Sequence, residues 1–159
     1  MTETNKNNES KKQLNMTRIF NSTPEIVFKM WTDPEHVAKW WGPKGFTIPE
    51  CKIDLRPGGK ISLTMKGPDG STRPNEMIIK EVDPPKKLVL TMEFMPDENG
   101  DPQGIMENIV TFVEYQGKTK MEFTVVEVKA MLGPRSALEG LEGAWGQSFD
   151  KLEDALINV

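Results

Sequence analysis

The chain has 159 residues, 36% of them hydrophobic, with 20 Lys and Arg against 24 Asp and Glu, one Cys and one His. A single domain with a core that needs no metal or disulfide staple is expected at this length, and zinc sets built from Cys and His are excluded. The acidic balance, with a pI near 5.2, argues against a nucleic-acid partner, and no apolar run exceeds three residues where a membrane span needs about 20, so a soluble cytoplasmic protein without cofactor is expected.

Residues 1–12 (MTETNKNNESKK) hold no aliphatic or aromatic side chain after Met1 and read as a disordered tail, leaving 13–159 as one domain. Leu14 to Phe20 reads as a strand. Ser22-Thr23-Pro24-Glu25 is a helix start, with a hydroxyl before a proline at the first position. A helix is predicted from Pro24 to Trp31, with Val27, Phe28, Met30 and Trp31 on its apolar side. Asp33-Pro34-Glu35 repeats the signal and starts a second short helix carrying Val37, Trp40 and Trp41, which Gly42-Pro43 stops.

From Phe46 to Val128 the period becomes that of strands, and six are predicted. Ile61, Leu63 and Met65 alternate with polar residues, as do Met121, Phe123 and Val125, while Leu88, Leu90, Met92 and Phe94 alternate with Val89, Thr91, Glu93 and Met95. Arg56-Pro57-Gly58-Gly59, Asp83-Pro84-Pro85 and Gln116-Gly117 supply short turns, so neighbouring strands should be antiparallel. Phe46 and Ile48 are out of phase with Cys51, Ile53 and Leu55, which marks a bulge or an edge near Pro49. Pro96 to Gly104 (PDENGDPQG) reads as an exposed loop. After Gly133-Pro134, the residues Leu138, Leu141, Trp145, Phe149, Leu152 and Leu156 recur every three or four positions as one amphipathic helix. These elements make an α+β fold, with this helix packed across the concave face of a curved antiparallel sheet of about seven strands and two short helices after the first strand.

Four segments carry a family resemblance: Trp31-Thr32-Asp33-Pro34-Glu35-His36, Trp40-Trp41-Gly42-Pro43, Asp54-Leu55-Arg56-Pro57-Gly58-Gly59 and Gly67-Pro68-Asp69-Gly70. With Ala144-Trp145-Gly146 opening the last helix, they resemble the AHSA-type family, named for the activator of the heat-shock chaperone ATPase. That family belongs to the START-like, birch-pollen-allergen-like (SRPBCC) superfamily with the helix-grip fold. The resemblance implies a cavity between sheet and C-terminal helix, in which members of the superfamily hold lipids, polyketides, steroids or other apolar molecules. Some members are cyclases, dehydratases or hydrolases; the family name adds a link to chaperones and the stress response. The chaperone-activating relatives use this domain beside a separate N-terminal one, whereas a single domain is expected here.

The residues expected to face that cavity are Trp41, Met65, Met77, Met92, Met121, Phe123, Trp145 and Phe149. Methionine is unbranched and polarizable and adapts to irregular ligands; ordinary core packing is the competing account for each. For catalysis, His36 is the only histidine and sits in a helix-start motif, while Glu81, Glu107 and Glu127 lie in strands of ambiguous phase. Cys51 has no predictable neighbour that would activate it, and Gly58-Gly59 lacks the lysine of a phosphate loop. The expectation is a module that binds a small apolar ligand, with no catalytic residue assigned and a homodimer left open. Two alternatives stand beside it: an enzyme of the cyclase, dehydratase or hydrolase type using an inward glutamate or His36, and a chaperone ATPase-stimulating module acting through its surface.

Overall fold

A computed structural model describes residues 13–129 and 140–157, without the side chains of 94–96 and 129. The tail at 1–12 and the predicted helix residue Leu138 lie outside the described residues. The elements run β1 (Gln13–Phe20), α1 (Pro24–Thr32), α2 (Pro34–Trp40), β2 (Thr47–Ile53), β3 (Lys60–Lys66), β4 (Thr72–Asp83), β5 (Lys87–Pro96), β6 (Pro102–Tyr115), β7 (Lys118–Lys129) and α3 (Leu141–Leu156). Strands β2 to β7 form the meander, and β1 joins it beside β7, giving one curved antiparallel sheet in the order β1-β7-β6-β5-β4-β3-β2. None of the described helices is long and apolar enough to cross a membrane.

Local chemistry sets the element ends. Thr23 Oγ1 accepts from the Ile26 N–H at 3.4 Å and starts α1. Asp33 does two things at once: its own N–H donates to the Lys29 carbonyl and closes α1, and its Oδ1 accepts from the Glu35 N–H at 2.9 Å and opens α2. The two short helices are then pinned together by the Trp40 indole, which donates to the Met30 carbonyl at 2.8 Å. The phase break at Pro49 is a register shift between Thr47 and Glu50 on β2, an edge strand. In the turn before β3, Gly59 has no room for a side chain, because a Cβ there would collide with the Asp54 carbonyl oxygen.

The loop expected at Pro96 to Gly104 is shorter than its composition suggests. Pairs Phe94↔Gly104 and Pro96↔Pro102 continue the β5–β6 ladder, leaving a turn at Asp97–Asp101. Asp97 Oδ1 accepts from the Asn99 and Asp101 N–H groups at 2.9 and 3.0 Å, so one carboxylate organises the reversal without a longer loop.

The core lies between the concave face of the sheet and the three helices. Phe149 and Leu152 of α3 are fully buried, and Arg18 of β1 holds that helix by pairing with Asp150 at 2.9 Å and donating to the Gly146 carbonyl at 3.1 Å. The sheet itself is not continuous along its whole length. Strands β4 and β5 pair only from Asp83↔Lys87 to Ile78↔Thr91. Beyond that point 72–77 stays with β3 and 92–96 stays with β6, so the sheet divides into two arms.

Candidate functional site

The arms leave a cavity of about 520 Å³ under the N-terminal half of α3. On the strand side it is lined by Met65 of β3, Arg73 and Asn75 of β4, Met92 of β5, and Met106 and Asn108 of β6. Across from them α3 contributes Leu141, Ala144, Trp145 and Ser148, and the segment after α2 contributes Trp41, Gly42 and Pro43. Gly42 adopts a φ of +94°, and a Cβ on it would lie 3.2 Å from Met65 Cε, so a bare backbone lets this wall close against the methionine. On the convex side the same division of the sheet opens a cleft that Pro74, Asn75, Glu76 and Glu93 share with the cavity.

Of the eight residues expected to face a cavity, Trp41, Met65, Met92 and Trp145 line this one. Met77, Met121, Phe123 and Phe149 lie elsewhere: each is 0% exposed in the packed core and none is in the cavity wall. Trp145 connects the two regions, with ring centroids 6.0 Å from Trp31, 4.6 Å from Phe123 and 5.6 Å from Phe149.

The wall also has a polar part that apolar patterning does not reveal. Arg73 and Asn75 share the phase of Met77, and Asn108 shares that of Met106, Val110 and Phe112, so strict alternation gives all three the inward phase, with Arg73 exposed, Asn75 half-buried and Asn108 buried. They add a guanidinium and two amides to a wall whose expected residues are all apolar or thioether side chains. Asn75 Nδ2 donates to Met65 Sδ at 3.5 Å and Asn108 Nδ2 to Met92 Sδ at 3.3 Å, so each arm carries an amide held against a thioether.

The candidate catalytic groups do not gather here. Glu81 is exposed and pairs with Lys87 at 3.5 Å, and Glu107 pairs with Lys80 at 2.6 Å on the outer face. Glu127 does point inward, 6% exposed and opposite Met106 in register, with an interaction partner of its own. His36 is on α2, away from the cavity wall, with Nδ1 buried and without a hydrogen-bond partner among the described residues. Burial, aided by the nearby Asp33 carboxylate, pushes the Cys51 thiol up to about 11. Since the thiolate is the reactive form, iodoacetamide at about pH 8 should alkylate Cys51 on the order of 100-fold more slowly than a free cysteine of ordinary pKa near 8.5. Mass spectrometry of timed samples measures this rate; labelling as fast as free cysteine would contradict the burial.

A family model described as "Activator of Hsp90 ATPase homolog 1-like protein" matches residues 21–156. Among solved structures, a protein of Nitrosomonas europaea is 28% identical, with 91% of this chain and 94% of that one covered at a TM-score of 0.76. A protein of Mycobacterium smegmatis is 25% identical over 92% of this chain and 91% of that one, with a TM-score of 0.72. The AHSA1 protein of Silicibacter pomeroyi shares the fold at 22% identity, covering 92% and 98% at a TM-score of 0.72. No curated protein matches the chain.

Proposed function

Because the chain belongs to the Activator of Hsp90 ATPase homolog 1-like family, whose superfamily resemblance implies an internal ligand, we propose that it binds a small, largely apolar molecule in the cavity between the sheet arms and α3. The observation that carries this is the cavity itself: about 520 Å³, inside the range of roughly 300–1,000 Å³ usual for small-molecule sites. Trp41, Met65, Met92 and Trp145 are the proposed contacts, with Met106 and Leu141 completing the apolar surface. Met77, Met121, Phe123 and Phe149 support that wall from the core. Three thioethers on three strands make the surface adaptable, which suits a ligand of irregular shape. We read the module as a cytoplasmic binder rather than an enzyme. The family description alone carries the chaperone alternative, and nothing in the cavity favours it.

Ala144 faces the cavity from α3, so a bulky side chain there fills the site from a helix position that tolerates it. The neutral fluorophore N-phenylnaphthylamine should brighten on binding the wild type. Ala144→Trp should weaken that binding about tenfold or more, a loss of roughly 1.4 kcal/mol or more, without lowering the thermal midpoint. Absence of binding by the wild type, together with no co-purified molecule in native mass spectra of protein from its own host, would count against the proposal; so would binding that Ala144→Trp leaves untouched.

A further inference from the structure

The polar groups on the inner wall indicate what kind of molecule the cavity takes. Arg73 is the one cation among the lining residues. Arg18 pairs with Asp150 and Arg56 with Asp54, each at 2.9 Å, whereas Arg73 has no carboxylate partner among the described residues. Asn75 lies two positions along β4 on the same face, within reach of any group that Arg73 holds. On the opposite arm Asn108 is 1% exposed, and the only partner of its Nδ2 among the described residues is a thioether. Sulfur is a weak acceptor, so a buried amide donor facing it is poorly satisfied, and an oxygen entering the gap would give that donor a stronger hydrogen bond.

Two carboxylates, Glu76 and Glu93, also border the cavity at its rim. Glu76 and Glu93 alternate with the inward residues and project to the convex side, where Glu76 is engaged by Lys60 at 3.4 Å and Ser62 at 3.4 Å. Glu127, the inward acid, has an interaction of its own. We propose that the ligand is an apolar acid, its carboxylate held by Arg73 and the neighbouring Asn75 amide, with Asn108 as a further donor deeper in the gap. This rests on the ligand-binding reading above and specifies the ligand's chemistry. A guanidinium presents a planar fork that matches a carboxylate, and such charge-assisted bonds are about twice as strong as neutral ones.

The test titrates dodecanoate and dodecanol, which share a chain and differ in charge, into the full chain and follows its tryptophan fluorescence, to which Trp41 and Trp145 in the cavity wall contribute. The wild type should bind dodecanoate about tenfold more tightly than dodecanol. Arg73→Met should bring the two affinities within about twofold by weakening dodecanoate alone. Arg73→Lys should keep part of the preference, which a merely structural role would not produce. Equal binding of both probes by the wild type, or an undiminished preference in Arg73→Met, overturns the acid assignment and leaves the cavity reading standing. Binding of neither probe also overturns the acid assignment, and the cavity reading falls with it only if N-phenylnaphthylamine does not bind either.

Discussion

Replacing Trp31 by alanine should cost about 3–5 kcal/mol of stability, the range for deleting a buried large aromatic side chain. Trp31 is 0% exposed, and its ring has six aromatic neighbours, from Trp40 at 4.8 Å to Phe112 at 6.4 Å between centroids. Those neighbours come from α2 and the segment after it, from β6 and β7, and from α3, so one side chain joins the short helices, the sheet and the long helix. Small domains have only about 5–15 kcal/mol of stability in total, so the thermal midpoint should fall by about 10 °C or more. Urea unfolding with an unchanged slope checks the value. Trp31→Phe should cost clearly less. It keeps most of the ring volume and removes an indole N–H that is buried with no hydrogen-bond partner among the described residues, so part of the lost packing is offset by the end of an unsatisfied donor. A loss below about 1 kcal/mol in Trp31→Ala would show that the ring is not part of a close-packed core.

Lys151→Met should destabilise the protein by about 2 kcal/mol and lower the midpoint by roughly 4–8 °C. Lys151 is the feature that holds the segment between α2 and β2. Its Nζ reaches the carbonyls of Trp41 at 3.5 Å, Gly42 at 3.2 Å, Pro43 at 3.4 Å and Phe46 at 3.2 Å. Methionine keeps the length of the side chain and removes every donor, so the carbonyls of Trp41, Gly42 and Phe46 lose this partner, while that of Pro43 keeps the Phe46 N–H at 3.1 Å. Burial lowers the pKa of the ammonium from its ordinary 10.5. That depression also sets the sign of the pH dependence. The folded chain releases this proton before the unfolded chain does, so the group's own contribution to stability increases with pH on the alkaline side, up to the unfolded value. Trp41, Gly42 and Pro43 also line the cavity, so Lys151→Met should weaken N-phenylnaphthylamine binding as well. Calorimetry and the fluorophore titration read the two effects separately; an unchanged midpoint would remove Lys151 from the scaffold.

Much of the fold was legible because its signals are local. Thr23-Pro24 and Asp33-Pro34 announce two helix starts by hydrogen-bonding and φ preferences that act within one turn, and both helices begin where those signals sit. The phase break at Pro49 needs only a few residues on either side to be seen, and it is a bulge. The stripe from Leu141 to Leu156 is the buried side of α3. The candidate site was half legible. Alternation tells which face of a strand a side chain occupies, and Met65, Met77, Met92 and Met121 all face inward. It does not tell how far along the sheet the helices cover that face, and so Met77 and Met121 are sealed in the core while Met65 and Met92 border open space. Arg73, Asn75 and Asn108 obey the same alternation, but a polar side chain in an inward phase gives no hydrophobic signal to mark it.

By itself, then, the sequence determined the element order, the caps, the turns and the inner face of each strand, since each depends on residues a few positions apart. Tertiary structure alone decided three things that depend on distant partners. It placed β1 beside β7, a pairing of Phe20 with Thr119 across the length of the chain. It ended the β4–β5 ladder at Ile78↔Thr91, which separates the arms and creates the cavity. And it set Arg73, Asn75 and Asn108 around that space, turning scattered polar residues on two strands into one wall, because only the packing of α3 over the divided sheet brings the arms under a common cover.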